Sequence, residues 1–274
     1  HWMDPVCGIP PMNTLAIQWA ADHFLGLYKL THDREWLQQG EFCVGLLSLF
    51  QQVWAPNRFG PAYMFGGFGV MNCDGEWNDG RQSRVVPTYA DYYDVTGKIE
   101  YLERAVAACR ASFAAMDMTE NHANGINAYS INQAESVSVE VGQGYSPESI
   151  MHGAPQVLTG AGAGWTGFNW GPGGGLGASA MLERRYGAAW VDGTAKKVVP
   201  VDGVKATIHQ WDRDLVDITI ASALKDLEYP YTKNREIKVR FGRFDGPIPR
   251  IRINGAIIES NAIPSSDNGI AIQV

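Results

Sequence analysis

Charged residues are scarce in this chain. Asp, Glu, Lys and Arg make up 19% of its 274 residues, below the roughly one quarter usual in globular domains. The balance is acidic, with a formal net charge of -7, and no Lys/Arg cluster interleaves with aromatics. Nothing is therefore set to neutralise a phosphate backbone, and nucleic acid is excluded as an expected partner. No run of about 18 apolar residues occurs, which excludes a membrane-spanning helix and a membrane partner from the expectations. Cysteine is equally sparse: Cys7, Cys43, Cys73 and Cys109 all lie in the first half, without a CxxC pair or a zinc-like spacing. Cys43 and Cys109 fall inside helical patterns, so buried free thiols are expected. The Gly-rich run 171–177 is no phosphate loop, because it lacks the Lys-Ser/Thr ending and follows no strand. The opening His1-Trp-Met-Asp-Pro has no initiator Met and no basic n-region. It predicts a fragment or processed piece, with a segment upstream or a second chain supplying what is missing.

What is present is apolar and aromatic. Hydrophobic residues reach 45%, with 31 Gly, 9 Trp and 11 Tyr, a profile of a real core carrying long, shaped loops. One segment occurs twice: Tyr28-Lys-Leu-Thr31-His-Asp-Arg-Glu35-Trp36-Leu37 realigns with Tyr93-Asp-Val-Thr96-Gly-Lys-Ile-Glu100-Tyr101-Leu102, 65 residues on. Each copy closes one helical pattern, turns through Thr, and opens another, which predicts helical hairpins that bury apolar faces on one another. Apolar spacing predicts helices over about 12–30, 33–53, 84–96 and 98–117, with Asp33 and Glu35 favouring a helix start. Between the pairs lies a long loop, Trp54 to Ser83, and a second runs from Asp117 to Pro147, with a short hairpin expected across 127–141. Ser146 and Pro147 suit the cap and first residue of a further helix. A third irregular stretch, 159–175, feeds a last helix at about 176–189. From Val198 onward, short alternating runs such as LVDITIAS, EIKVRFGRF and GIAIQV predict strands, with Asn254-Gly255 as a turn. The expected division is 1–192, helical, and 193–274, β-sandwich-like.

The segments YKLTHDREWL, YYDVTGKIEYL and WGPGGGLGASAMLERRYG, with the passage into strands that follows, resemble the α/α-toroid carbohydrate-active enzymes. These are the six-hairpin glycosidases and the toroid polysaccharide lyases. The resemblance implies an α+β multidomain fold: the C-terminal half of an α/α toroid, then a β-sandwich-like accessory domain. It also implies a polysaccharide-degrading protein, secreted or periplasmic, with an oligo- or polysaccharide as partner.

The richest chemical constellation is Asn72-Cys73-Asp74-Gly75-Glu76-Trp77-Asn78-Asp79. Asp74, Glu76 and Asp79 can supply a general acid and a base or nucleophile for glycosidic cleavage, with Trp77 desolvating one carboxyl. The alternative is a structural loop or a calcium site; no other cofactor is expected. The second constellation is Tyr145-Ser-Pro-Glu148-Ser-Ile-Met-His152, where Glu148 and His152 would share a helix face and Tyr145 and His152 could act as acid and base of a lyase. His122 forms a weaker polar cluster, and Trp54, Asn57, Arg58, Tyr63, Trp77, His122, Glu148, Trp165 and Trp170 are the candidate sugar contacts. Three readings follow: a glycoside hydrolase whose acids come from Asp74, Glu76 and Asp79 with a partner at Glu148 or Asp4, favoured because acids outnumber bases in the aromatic loops; a polysaccharide lyase; and a non-catalytic saccharide-binding or assembly protein.

Overall fold

A computed structural model describes residues 12–53, 65–69, 78–114, 149–150, 170–224, 235–259, 263 and 268–274. The chain divides into two compact units, His1–Ala178 and Ser179–Val274.

The first unit holds two helical hairpins. Helix α1 (Thr14–Thr31) starts on Asn13, whose side-chain oxygen accepts from the amides of Leu15 and Ala16. Helix α2 (Arg34–Leu49) is capped by Asp33, which accepts from the Glu35 amide at 2.9 Å. After strand β1 (Asn78–Asp79) and a 3₁₀ turn (Gly80–Arg84) come α3 (Val85–Thr96) and α4 (Ile99–Ala114). The two interhelical turns are built identically. Thr31 and Thr96 each donate back to the carbonyl four residues earlier, at 2.8 and 2.7 Å. His32 and Gly97 then take the left-handed conformation that ends each helix, at φ 57° and 73°. The second hairpin seats on the first through Tyr92 Oη to the Ala21 carbonyl (2.8 Å), Thr88 Oγ1 to Asp22 (2.7 Å) and Lys29 to Asp91 (3.0 Å). Tyr89, Tyr92 and Tyr93 are among the largest fully buried side chains.

The toroid is not what the described residues form. They hold five helices, four of them in two hairpins, and two four-stranded sheets. Two hairpins cannot close a ring, and the remaining order is largely β. The Gly-rich run is also not wholly irregular, because α5 spans Trp170–Tyr186 and begins six residues earlier than the apolar spacing predicts. Pro172 sits in its first turn, where a missing N–H costs no helical bond. Gly174 lies where any Cβ would run into the Ser83 hydroxyl, so its bareness permits a close approach. Cys43 and Cys109 are free thiols, Cys109 buried; Cys7 and Cys73 lie outside the described residues, as does the hairpin expected across 127–141.

The second unit carries strands β3 (Ala189–Asp192), β4 (Lys197–Pro200), β5 (Val204–Trp211), β6 (Leu215–Ser222), β7 (Glu236–Gly242), β8 (Arg250–Ile253), β9 (Ala256–Ile258) and β10 (Gly269–Gln273). They form two sheets, ordered β10-β7-β3-β4 and β5-β6-β8-β9. Both are mixed rather than purely antiparallel, since β3 runs parallel to β7 and β6 to β8. Alternate residues of the two sheets meet in one core that includes Val191, Val239, Phe241, Ile218, Ile220 and Ile253. Asn254 (φ 51°) and Gly255 (φ 85°) make the turn between β8 and β9. The Asn254 amide also donates to and accepts from the Ile220 backbone, patching strand β6.

Candidate functional site

Strand β1 closes the first long loop, and its partner is β2 (Ser149–Ile150), in antiparallel register with Asn78 opposite Ile150 and Asp79 opposite Ser149. Opposed residues of such a pair have Cα atoms about 4.5–5.5 Å apart. The end of the acidic constellation and the middle of the Tyr145–His152 constellation, distant in sequence, are therefore neighbours in space. Pairing replaces the helix expected to begin at Pro147. The i, i+4 argument for Glu148 and His152 on one helix face does not survive a strand at 149–150. The physical reason is that the segment 149–150, with its β-branched Ile150, runs extended against Asn78 and Asp79 instead of closing a helical turn.

The residues that follow Asp79 anchor this junction. Gln82 and Ser83 are each about 3% exposed, inside the 3₁₀ turn. Gln82 Oε1 accepts from the Phe68 amide at 2.8 Å, which fixes which end of the carboxamide is oxygen. Its buried Nε2 finds no acceptor among the described residues. Phe68 in turn bridges to Gln51, which lies just beyond α2, and Gln51 Nε2 donates to the carbonyls of Gly66 (3.2 Å) and Arg104 (3.0 Å). Arg104 Nη1 donates back to Gln51 Oε1 at 2.9 Å. A continuous hydrogen-bonded frame thus runs from the turn after Asp79 through loop 65–69 to α4. Buried amides so arranged hold a loop in one geometry.

The frame was hidden in the sequence, where Gln51, Gln82 and Arg104 read as ordinary polar positions. Among the loop aromatics, Phe68 is core, 1% exposed and packed at 6.3 Å from the Tyr89 ring, while Phe65 stands 44% exposed. Of the predicted site residues, Asp79 is described in its backbone, as the last residue of β1, and Trp170 as the first residue of α5. Asp4, Asp74, Glu76, Trp77, Tyr145, Glu148 and His152 lie outside the described residues, as do Trp54, Asn57, Arg58, Tyr63, His122 and Trp165.

Away from this junction, Asp22 has a carboxyl pushed above its ordinary range. Partial burial raises it, against hydrogen bonds from Thr88 (2.7 Å) and Gln18 (2.6 Å) that lower it. The residue as a whole is exposed, and its bonds tie α1 to α3, so it reads as an interhelical strut. Among the described residues no group of three or more His, Cys, Asp and Glu is disposed to hold a metal ion, and no helix is long and apolar enough to cross a membrane. Comparison with protein-family models, curated proteins and solved structures gave no match.

Proposed function

We propose that the chain is a carbohydrate-active protein, a glycoside hydrolase that cleaves an oligo- or polysaccharide with carboxylates drawn from Asp74, Glu76 and Asp79 and a partner at Glu148. The register of Asp79 opposite Ser149 carries the reading. Glycoside hydrolysis needs two carboxyl groups about 5–10 Å apart across the scissile bond. The backbones at Asp79 and at Ser149, the residue after Glu148, run about 4.5–5.5 Å apart, which sets the acidic segment beside the segment that carries Glu148. One protonated carboxyl would donate to the leaving glycosidic oxygen. An ionised one would attack the anomeric carbon or activate water. The aromatic and amide content of the two loops supports a saccharide over other substrates, because sugar rings present apolar C–H faces rimmed by hydroxyls. The same loop's oxygens suit a calcium ion. A melting temperature raised by calcium, lowered by a chelator and insensitive to both in Asp74→Asn is its expected signature.

The test is turnover of a glycan panel (glucans, xylans, mannans, galactans and uronate polymers) read as new reducing ends. At least one glycan should be cleaved, and Glu76→Gln and Asp79→Asn should each lower the rate by roughly 10²–10⁴, the usual worth of a positioned acid or base. An unsaturated, ultraviolet-absorbing uronate product that disappears in Tyr145→Phe and His152→Ala would replace hydrolysis with elimination. No turnover of any glycan would overturn the enzymatic reading.

A further inference from the structure

Beside the frame lies an open cleft of about 210 Å³, lined by Gln52, Val53, Phe65, Glu100, Glu103 and Arg104, with Gln51, Gly66 and Ala107 at its base. Its walls are held in place. Gln52 donates to the Gly67 carbonyl and accepts from the Gly66 amide, both at 2.7 Å, so loop 65–67 is paired to the end of α2. Gly66 takes φ 87°, and any Cβ there would run into the Ala107 carbonyl, so the loop presses directly on α4. Gln51, 6% exposed, ties loop and helix together from below. On this base one wall is apolar and open to solvent: Phe65 is 44% exposed and Val53 62%. The cleft is also lined by a turn of α4 carrying Glu100 and Glu103, three residues apart on one face, with Arg104 held against Gln51.

We infer that this cleft is a saccharide-binding subsite, in which a single pyranose ring lays its C–H face on Phe65 and directs hydroxyls to Glu100, Glu103 and Gln52. The inference rests on the carbohydrate reading above and adds a site built from residues other than the proposed carboxylates. The chemistry selects the ligand class. Two carboxylates on the rim disfavour phosphates and uronates. A purely apolar ligand would cover the charged rim without offering it any hydrogen bond. A ligand with an apolar face and a ring of hydroxyl donors satisfies both kinds of lining. The volume falls below the roughly 300–1,000 Å³ of sites that enclose drug-sized ligands. One ring therefore fits, with the rest of a chain in solvent. Exposed phenylalanine in a clamped loop costs little to order on binding, since the hydrogen-bonded frame has already fixed its backbone.

The probe is a set of methyl glycosides (glucoside, galactoside, mannoside and xyloside) observed by saturation-transfer difference NMR on the intact chain. Tetramethylammonium serves as a cation without hydroxyls. At least one glycoside should bind, with its ring C–H protons receiving the strongest transfer. Phe65→Ala and the pair Glu100→Gln/Glu103→Gln should each weaken it tenfold or more, while Asp79→Asn leaves it unchanged. Phe65, Glu100 and Glu103 are exposed, and unchanged circular dichroism in these variants verifies that the fold is kept. Binding that survives Phe65→Ala, or that is lost in Asp79→Asn, overturns the subsite and leaves the hydrolase reading standing. Tetramethylammonium binding as tightly as the best glycoside also overturns it. Glycan turnover without binding of any methyl glycoside defeats the subsite alone; neither turnover nor binding defeats both.

Discussion

The two helical hairpins share a turn and differ in almost everything around it. Thr31 and Thr96 make the same back-bond, and the residues after them, His32 and Gly97, take the same left-handed conformation. Their amides return to Tyr28 and Tyr93 at 2.8 and 2.7 Å. Yet the positions that correspond across 65 residues have opposite fates. Tyr89, Tyr92 and Tyr101 are buried in the second hairpin, while their counterparts Phe24, Leu27 and Trp36 in the first are half-buried. The turn is determined by a few local hydrogen bonds, so a local repeat reproduces it. Burial is determined by what lies alongside, which a local repeat does not encode. The second hairpin has the first to pack on, and its tyrosines find partners there: Ser48 for Tyr89, the Ala21 carbonyl for Tyr92, Glu41 for Tyr101.

The sharpest contrast is at Gly40, whose counterpart is Ala105. Any Cβ on Gly40 would meet the Tyr92 phenol, whereas Ala105 is buried with its methyl group in place. Gly40→Ala should destabilise the first unit by about 2–3 kcal/mol, the cost of overpacking a tight interface. Ala105→Gly should cost only about 1 kcal/mol of helix propensity. Denaturant melts of both variants check the asymmetry, and equal losses would mean that the hairpins meet elsewhere.

A titration separates the hairpins next. Burial pushes the Tyr89 phenol up to about 12, partly offset by its Ser48 partner, and burial likewise raises Tyr92 and Tyr101. A raised phenol binds its proton more tightly folded than unfolded. Stability is therefore full below about pH 10 and is lost as pH climbs toward 12. For Tyr89 alone the loss is on the order of 3 kcal/mol. Phe24 holds the equivalent place in the first hairpin and cannot ionise. Tyr89→Phe should thus cost roughly 1 kcal/mol at neutral pH, for the Ser48 bond, and shallow the alkaline limb of a pH–stability curve. An unchanged alkaline limb would contradict the burial.

The smallest expected effect lies in the turns themselves. Gly97→Ala forces a methyl group into left-handed backbone and should cost about 1–2 kcal/mol. His32→Gly trades relief of that strain against a floppier unfolded chain and should stay within about 0.5 kcal/mol of neutral. Thermal melts distinguish the two, and a large loss for His32→Gly would show that the His32 ring, edge-on to Tyr28 at 6.4 Å, holds the turn.

Much of this was legible in residue patterns, and the failures have physical causes. The four hairpin helices announce themselves by apolar spacing and by caps such as Asp33. LVDITIAS is β6 residue for residue, because its alternation is the alternation of burial. Strand β3 escaped notice because Ala189–Asp192 follows α5 closely, separated by Gly187 at φ 70° and Ala188, and its buried run is too short to show a period. The start of α5 was obscured by glycines that look like a loop but serve a close approach to Ser83. The ring failed for the reason the hairpins teach: a repeated turn says nothing about how many neighbours stand beside it. For the candidate site, the acids were visible as a cluster. The frame of Gln51, Gln82 and Arg104 was not, since side-chain amides gain meaning only from partners distant in sequence.

Everything proposed about chemistry depends on the two loops meeting at Asp79 and Ser149. The direct measurement is an Asp79→Cys/Ser149→Cys double variant, oxidised gently and mapped by peptide mass. Directly opposed strand positions bring Cβ atoms about 4.5–5.5 Å apart, close enough for a disulfide with slight adjustment. A disulfide joining the peptides that carry positions 79 and 149, formed in high yield without loss of the helical signal, is the predicted result. Both introduced thiols remaining free would contradict it and separate the two constellations. So would pairing of the thiol at position 79 with the native Cys73 while the thiol at position 149 stays reduced.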